Sequence, residues 1–258
     1  MDMEIRGLRV MVSAGATGIG REIARAFVRE GARVHVCDVD ERALSELAAS
    51  DPAIGRSRCD VAVRGEVARF FEEGIAGLGG LDCFVNNAGI AGPTGRIDEI
   101  DPAEWDRCIA IDLTGQFNCA RLAVPHLRRS ANASLMNVSS LAGRLGFAMR
   151  TPYASAKWGV VGFSRSLAVE LGPDNIRVNA LLPGIVAGER QVRVLTAKAE
   201  ARGVSFEEME RRAFSYTSLK EYVTPQQLAD LVVFVASPRG RMISGQALSV
   251  CGDTNMLG

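Results

Sequence analysis

Seven short runs of apolar, often β-branched residues punctuate the chain, and the segments between them carry a 3.6-residue apolar period. The runs are "LRVMVS", "ARVHVCD", "GRSRCDV", "LDCFVN", "SLMNVS", "IRVNALLP" and, near the end, "GQALSVCGD". Strand-length runs alternating with helix-length periodic segments specify repeated βαβ units. A crossover through a helix makes successive strands parallel, and a parallel sheet is covered on both faces, which suits a run such as "LMNV" that barely alternates. The pattern predicts an α/β fold: a single doubly wound parallel sheet with helices on both faces.

The rhythm breaks between Gly188 and Glu221, where a charged insert replaces a short link. Inside it, Ser205 and Glu208 match a capping box and Val204 and Met209 match staple positions, so a helix is expected to start at Phe206. A helical lid over the carboxyl ends of the strands accounts for such an insert, as does a solvated surface helix, and Phe206, Met209, Phe214 and Tyr216 suit either the apolar inner face of a lid or core packing. No other segment breaks the pattern, so residues 1–258 are expected to form one domain with a lid at about 188–221. With 47% apolar residues among 258, such a domain buries a full core. Thirty basic residues balance thirty acidic ones, which gives no field for nucleic acid or an anionic membrane. No apolar run approaches the ~20 residues of a bilayer span, and no signal peptide precedes the first strand, so a cytoplasmic protein is expected. Six cysteines without a CxxC pair read as reduced structural thiols, and the two histidines, His35 and His126, are too far apart to suggest a metal site.

The turn after the first strand reads "SAGATGIG", Ser13 to Gly20, and leads into a helix with Ile23, Ala24, Phe27 and Val28 on one face. Glycine lets a pyrophosphate approach backbone N–H groups at a helix N-terminus, where the dipole favours anions. Gly15, Gly18 and Gly20, with Ser13, Thr17 and Ile19 between and beside them, are the candidates for that contact. Their spacing is neither G-x-G-x-x-G nor a P-loop. Asp38 ends the second strand, near the ~20-residue offset expected of an acid that binds the adenosine ribose hydroxyls. Its charge repels a 2′-phosphate, and neither Thr17 nor Val39 offers a cation beside it, so the expected cofactor is NAD(H) before NADP(H). An N-cap for the helix starting near Glu41 is the plainer role for Asp38.

In "YASAK", Tyr153 and Lys157 stand four residues apart and share one helix face. A free tyrosine ionises near pH ~10, and a neighbouring ammonium favours the phenolate, which makes such a pair a proton-transfer device. Ser140 lies at the end of the strand "SLMNVS", placed to hydrogen-bond the same substrate oxygen.

Taken in order, "SAGATGIG", "CDV" (Cys59 to Val61), "NNAG" (Asn86 to Gly89), "NVSS", "YASAK" and "RVNALLPG" resemble the motifs of the short-chain dehydrogenase/reductase family over nearly the whole chain. The resemblance implies a Rossmann-type sheet and reversible hydride transfer between a nicotinamide and an alcohol or carbonyl carbon. It puts Ser140, Tyr153 and Lys157 in catalytic positions, and Asp60, Val61, Asn87, Ala88, Gly89, Pro183, Gly184 and Val186 along the cofactor, with Tyr153 and Lys157 also touching it. It implies a homotetramer or dimer and a small secondary alcohol or ketone, of polyol, sugar or hydroxy-acid type, as substrate. A cofactor-binding sensor without turnover and a 3-oxoacyl-type ketone reductase are the alternatives.

Three positions depart from the family. Ala14 replaces a glycine, which the turn carries if φ there is negative. Asp112 takes the position of the family's fourth catalytic residue, an Asn, exchanging a donor for a pure acceptor; it serves if the position acts through its backbone carbonyl and a water leading to Lys157, and weakens the proton relay if the amide donor is needed. Gly188 replaces a Thr that touches the carboxamide, which implies a looser lid hinge. Between Ser140 and Tyr153, the residues Arg144, Phe147, Met149 and Arg150 are candidates to face the substrate, and an inward arginine there favours an anion.

Overall fold

The protein is described by a computed structural model covering residues 2–257. All seven runs form strands: β1 (Arg9–Ser13), β2 (Arg33–Asp38), β3 (Gly55–Arg58), β4 (Cys83–Asn86), β5 (Ser134–Val138), β6 (Arg177–Pro183) and β7 (Ala247–Val250). They make one parallel sheet in the order 3-2-1-4-5-6-7. The winding reverses between β1 and β4, which opens a crevice at the carboxyl ends of those strands.

The helices are α1 (Gly18–Arg29), α2 (Glu41–Ser50), α3 (Arg64–Leu78), α4 (Pro102–Ile109), α5 (Gly115–Leu127), α6 (Thr151–Leu171), α7 (Glu189–Arg202), α8 (Phe206–Ser215) and α9 (Pro225–Ala236). Alternate strand residues feed two cores. Val10, Val12, Val34 and Val36 pack with Phe27 of α1, Leu47 of α2 and Val232 of α9. Met11, Cys37 and Phe84 point the other way, towards Phe70 of α3, Ala123 of α5 and Leu171 of α6. β5 and β6 are buried along their whole length, as expected for central parallel strands.

Helix starts follow local capping. α2 begins at Glu41, but its cap is Asp40, whose carboxylate accepts from the Arg42 and Ala43 N–H groups. Asp38 is therefore not the cap, because its side chain points back to the first turn of the fold. The insert contains α7 and α8. Ser205 caps α8 by accepting from the Glu208 N–H at 3.2 Å, yet the Glu208 carboxylate turns to Arg211 and Arg212 instead of completing the box. Val204, Phe206 and Met209 pack on Leu195 and Ala199 of α7. Phe214 meets Tyr222 edge-on at 4.8 Å, and the Tyr216 carbonyl accepts from the Asn255 N–H. Phe206 and Met209 thus pack within the insert and Phe214 against Tyr222, the core-packing account of these residues rather than an inner face open to the site. Among the described residues no helix is long and apolar enough to cross a membrane.

Asp82, just ahead of β4, ties the sheet centre to β1. It accepts from Arg9 Nε at 2.8 Å, Arg9 Nη2 at 2.7 Å, the Arg9 N–H at 2.9 Å and Ser130 Oγ at 2.6 Å. Burial raises its carboxyl, but these donors outweigh burial and hold it below the usual carboxylate range. A depressed carboxyl stabilises the fold above its unfolded-state value, and the contribution fades as pH falls through the folded one. Asp82→Asn should therefore cost about 1–3 kcal/mol at neutral pH, and the deficit should shrink below about pH 4; urea unfolding across pH checks both.

Candidate active site

The crevice between β1 and β4 is stitched shut at its floor. Ser13 Oγ accepts from the Asn87 and Ala88 N–H groups at 2.9 and 3.0 Å, while Asn87 Nδ2 donates to the Ser13 and Ala14 carbonyls at 3.1 and 2.9 Å. A Cβ on Gly20 would lie 2.1 Å from the Ala14 carbonyl oxygen, so only glycine allows α1 to start this close to the turn. Gly18 has φ +53° with open space beyond it. Thr17 precedes α1 without capping it through its side chain, which leaves the first N–H groups of the helix, from Gly18 to Gly20, without a side-chain acceptor. Ala14 sits at φ +50°, contrary to the negative φ expected of it. The turn keeps the left-handed conformation that glycine would take freely, because its carbonyl is fixed by Asn87.

Asp38 is buried at the end of β2, where its Oδ2 accepts from the Ala16 N–H at 3.2 Å. Arg58, its register partner on β3, is held by Glu66 at 2.7 Å and Glu41 at 3.4 Å. Further along, Asp60 accepts from the Ala62 N–H at 2.9 Å, and Asn118 Nδ2 fixes the Val61 carbonyl at 3.0 Å. Across the crevice, β6 ends at Pro183, the Gly184 N–H donates to Val250, and Val186 pairs with Val223. A helix N-terminus with no side-chain cap, beside a buried carboxylate, fits the pyrophosphate and ribose of a dinucleotide.

Tyr153 and Lys157 lie on the first turns of α6, with Lys157 Nζ 5.6 Å from the Tyr153 ring centroid. The ammonium is 3% exposed, donates to the Val138 carbonyl at 3.2 Å, and pairs with Asp112 Oδ2 at 3.3 Å. Asp112 is fully buried within a π-helical turn, Ala110–Thr114, and its Oδ1 accepts from the Ile90 N–H at 2.6 Å. Oδ1 is matched by a donor and Oδ2 by the charge of the ammonium rather than by a hydrogen bond, an environment that favours the acid over the Asn it replaces. A Cβ on Gly89 would lie 3.1 Å from Lys157 Nζ and 3.3 Å from Asp112 Oδ2, which keeps that position small. Ser140 follows β5 and caps a short turn, Leu141–Gly143, through the Ala142 N–H at 3.1 Å. Its neighbour Ser139 donates to the Lys157 carbonyl at 2.8 Å, clamping α6 to the strand end.

A family model described as Enoyl-(Acyl carrier protein) reductase matches residues 14–253. Trans-4-hydroxycyclohexanecarboxylate dehydrogenase of Sinomonas cyclohexanicum is 35% identical, covering 94% of this chain and 90% of that protein. The chain belongs to the short-chain dehydrogenase/reductase family. D-beta-hydroxybutyrate dehydrogenase of Cupriavidus necator is 31% identical, over 96% of this chain and 98% of the relative. The solved structure of a variant actinorhodin polyketide ketoreductase with NADPH superposes with a TM-score of 0.88 at 31% identity, covering 95% of this chain and 96% of that one. Like the family, this short-chain dehydrogenase/reductase is an oxidoreductase built to hold a nicotinamide dinucleotide.

Its departures now have physical form. Gly188 takes φ +138° at the start of α7, a conformation that threonine would strain. Of the candidate substrate residues, Arg144 is exposed, whereas Arg150 is 2% exposed and reaches the Ala91 carbonyl. Met149, at φ +62°, makes the left-handed turn that precedes Arg150. Arg190 is not among the sequence candidates. It extends from α7 to donate to the Gly89 carbonyl at 3.0 Å, and the one clue to it is a cation two residues past the hinge glycine. Replacing Asp112 by Asn leaves the ammonium uncompensated. Stability should drop by about 1–3 kcal/mol, read from denaturant melts.

Proposed function

We propose that the protein is an NAD-dependent oxidoreductase that interconverts a small secondary alcohol and its ketone, of polyol, sugar or hydroxy-acid type. The observation that carries this reading is Tyr153 beside a buried Lys157 whose charge is matched by Asp112, at the carboxyl end of the sheet near its switch point. The names of relatives support the substrate range: they include two hydroxycyclohexanecarboxylate dehydrogenases, a hydroxybutyrate dehydrogenase and a D-xylose 1-dehydrogenase.

In the oxidative direction Tyr153 Oη, as phenolate, takes the hydroxyl proton of the alcohol while Ser140 Oγ hydrogen-bonds the same oxygen and fixes its distance from the base. Lys157 stabilises the phenolate and would also hold the nicotinamide ribose, and Asp112 holds the ammonium in place. When bound, the nicotinamide supplies the two-electron chemistry by accepting or returning a hydride at C4. Ser13, Gly15, Thr17, Gly18, Ile19 and Gly20 take the pyrophosphate and its surroundings. Asp60, Val61, Asn87, Ala88, Gly89, Pro183, Gly184 and Val186 line the remaining length, and α7 with α8 forms the lid. Asp38 selects NAD over NADP, since the cation nearest to it in register, Arg58, is already paired. Exposed Phe117 of α5 and Trp158 and Val169 of α6 suit a homo-oligomer, dimer or tetramer.

Tyr153→Phe should lower hydride transfer at least about a thousandfold while NADH affinity, read by fluorescence titration, changes less than about threefold. Retention of activity in that variant sinks the mechanism. The double change Asp38→Ser with Val39→Arg removes the repelling carboxylate and adds a cation, and should reverse the NADH over NADPH preference by about tenfold or more in the same titration.

A further inference from the structure

The geometry points to a carboxylate-bearing substrate, held at the active site by Arg150 and covered by Arg190. The inference rests on the oxidoreductase reading above and narrows its substrate to a hydroxy acid and the corresponding oxo acid. Three cations from two helices and their flanks crowd the Tyr153 ring: Arg150 Cζ at 5.2 Å, Lys157 Nζ at 5.6 Å and Arg190 Cζ at 5.9 Å from its centroid. One step further out, Phe147 lies under both Arg150 Cζ, at 5.3 Å, and Lys198 Nζ, at 4.1 Å. Among the described residues, the buried carboxylate beside the three cations at the Tyr153 ring is Asp112, and it is engaged by Lys157. Among the described residues neither Arg150 nor Arg190 pairs with an acid.

Arg150 is the decisive member. Its side chain is among the largest fully buried ones in the chain, at 2% exposure. It is buried by the left-handed turn at Met149, stacks against two aromatic rings, and uses Nη2 on the Ala91 carbonyl. Its Nε is buried without an acceptor, and so is Oγ1 of the adjacent Thr151. A buried guanidinium without a carboxylate is expensive, and burial pulls Arg150 below the usual arginine range, with Arg190 adding repulsion. An anion docked on the planar guanidinium beside Tyr153 offsets both costs, and a carboxylate matches the fork bidentately. Arg190, exposed and rooted at the start of the lid, closes over the same ring from the solvent side.

The redox step is unchanged. The carbinol carbon gives a hydride to NAD+, its hydroxyl gives a proton to Tyr153, and the carboxylate leaves as it entered. The role assigned to Arg150 is to set the spacing between the carboxylate and the reacting carbon.

The test pairs each acid with a neutral partner of the same shape. Wild-type protein is assayed with NAD+ against 3-hydroxybutyrate and 4-hydroxycyclohexanecarboxylate and against their methyl esters. In parallel, calorimetry in the presence of NADH measures binding of two unreactive probes, butyrate and butyramide. The expected result is an acid over ester preference of about 100-fold in kcat/KM and binding of butyrate but not of butyramide. Arg150→Met should erase both preferences while NADH affinity and the melting temperature stay close to wild type, and Arg150→Lys should recover part of them. If esters or uncharged alcohols turn over as well as acids and butyrate does not bind, the carboxylate subsite is overturned and the oxidoreductase reading stands. If butyrate binds selectively and no alcohol in a broad panel is oxidised, the anion site stands and the substrate assignment falls with the oxidoreductase reading. The wild-type comparisons decide the matter even if Arg150→Met does not fold.

Discussion

A lysine ammonium buried to 3% exposure has to be matched, and much of the active-site architecture follows from how Lys157 is matched. Its partner Asp112 comes from the π-helical turn between α4 and α5, where the wider turn sets the carboxylate between the ammonium and the Ile90 N–H. A side chain at Gly89 would press on both members of the pair, and the Val138 carbonyl at the end of β5 takes a further ammonium hydrogen. The strand ends, the loop after β4 and the start of α6 are thereby locked to one another before any ligand arrives. A buried polar network behind them shares the load: Asn86 donates to Gln116 and Asn137, Asn137 to Ser164, and Gln116 to Val138.

The pairing also explains how a chain with an acid in place of the family's amide keeps a coherent site. Exchanging Asn for Asp in isolation removes a donor and adds a charge. Here Asp112 Oδ1 accepts from the Ile90 N–H, while Oδ2 makes no hydrogen bond among the described residues but lies 3.3 Å from the Lys157 ammonium, whose charge balances the carboxylate. The remaining positive charge on the substrate side, from Arg150 and Arg190, has no such internal partner among the described residues. Local neutrality holds around the proton-transfer pair and fails next to it, which is the asymmetry expected of a site that receives an anion.

The fold is legible in the sequence because its signals are periodic and repeated. All seven strands, the Gly-rich turn into α1 and the start of α8 follow from spacing, and Tyr153 with Lys157 is fixed by a helical interval. What stays out of reach depends on contacts distant in sequence. The left-handed Ala14 is imposed by Asn87, 73 residues away, and by the tight start of α1 at Gly20, and no local pattern announces it. Asp38 and Asp40 compete for one cap, and strand register decides the winner. α7 escapes a periodicity reading because "ERQVRVLTAKAEAR" carries too few apolar residues to show a face. Arg144 and Arg150 have the same side chain, and only the turn at Met149 sends one outward and the other into the protein.

The central claim is that this site moves a hydride between a carbinol carbon and NAD, and isotope transfer tests it without any assumption about steady-state rates. Protein incubated with NAD+ and a hydroxy acid deuterated at the carbinol carbon should yield NADH carrying deuterium on one face of C4, one label per oxo acid formed. Tight NADH binding with no label reaching C4, across hydroxy acids, polyols and sugars, would contradict the account and leave a dinucleotide-binding protein without turnover.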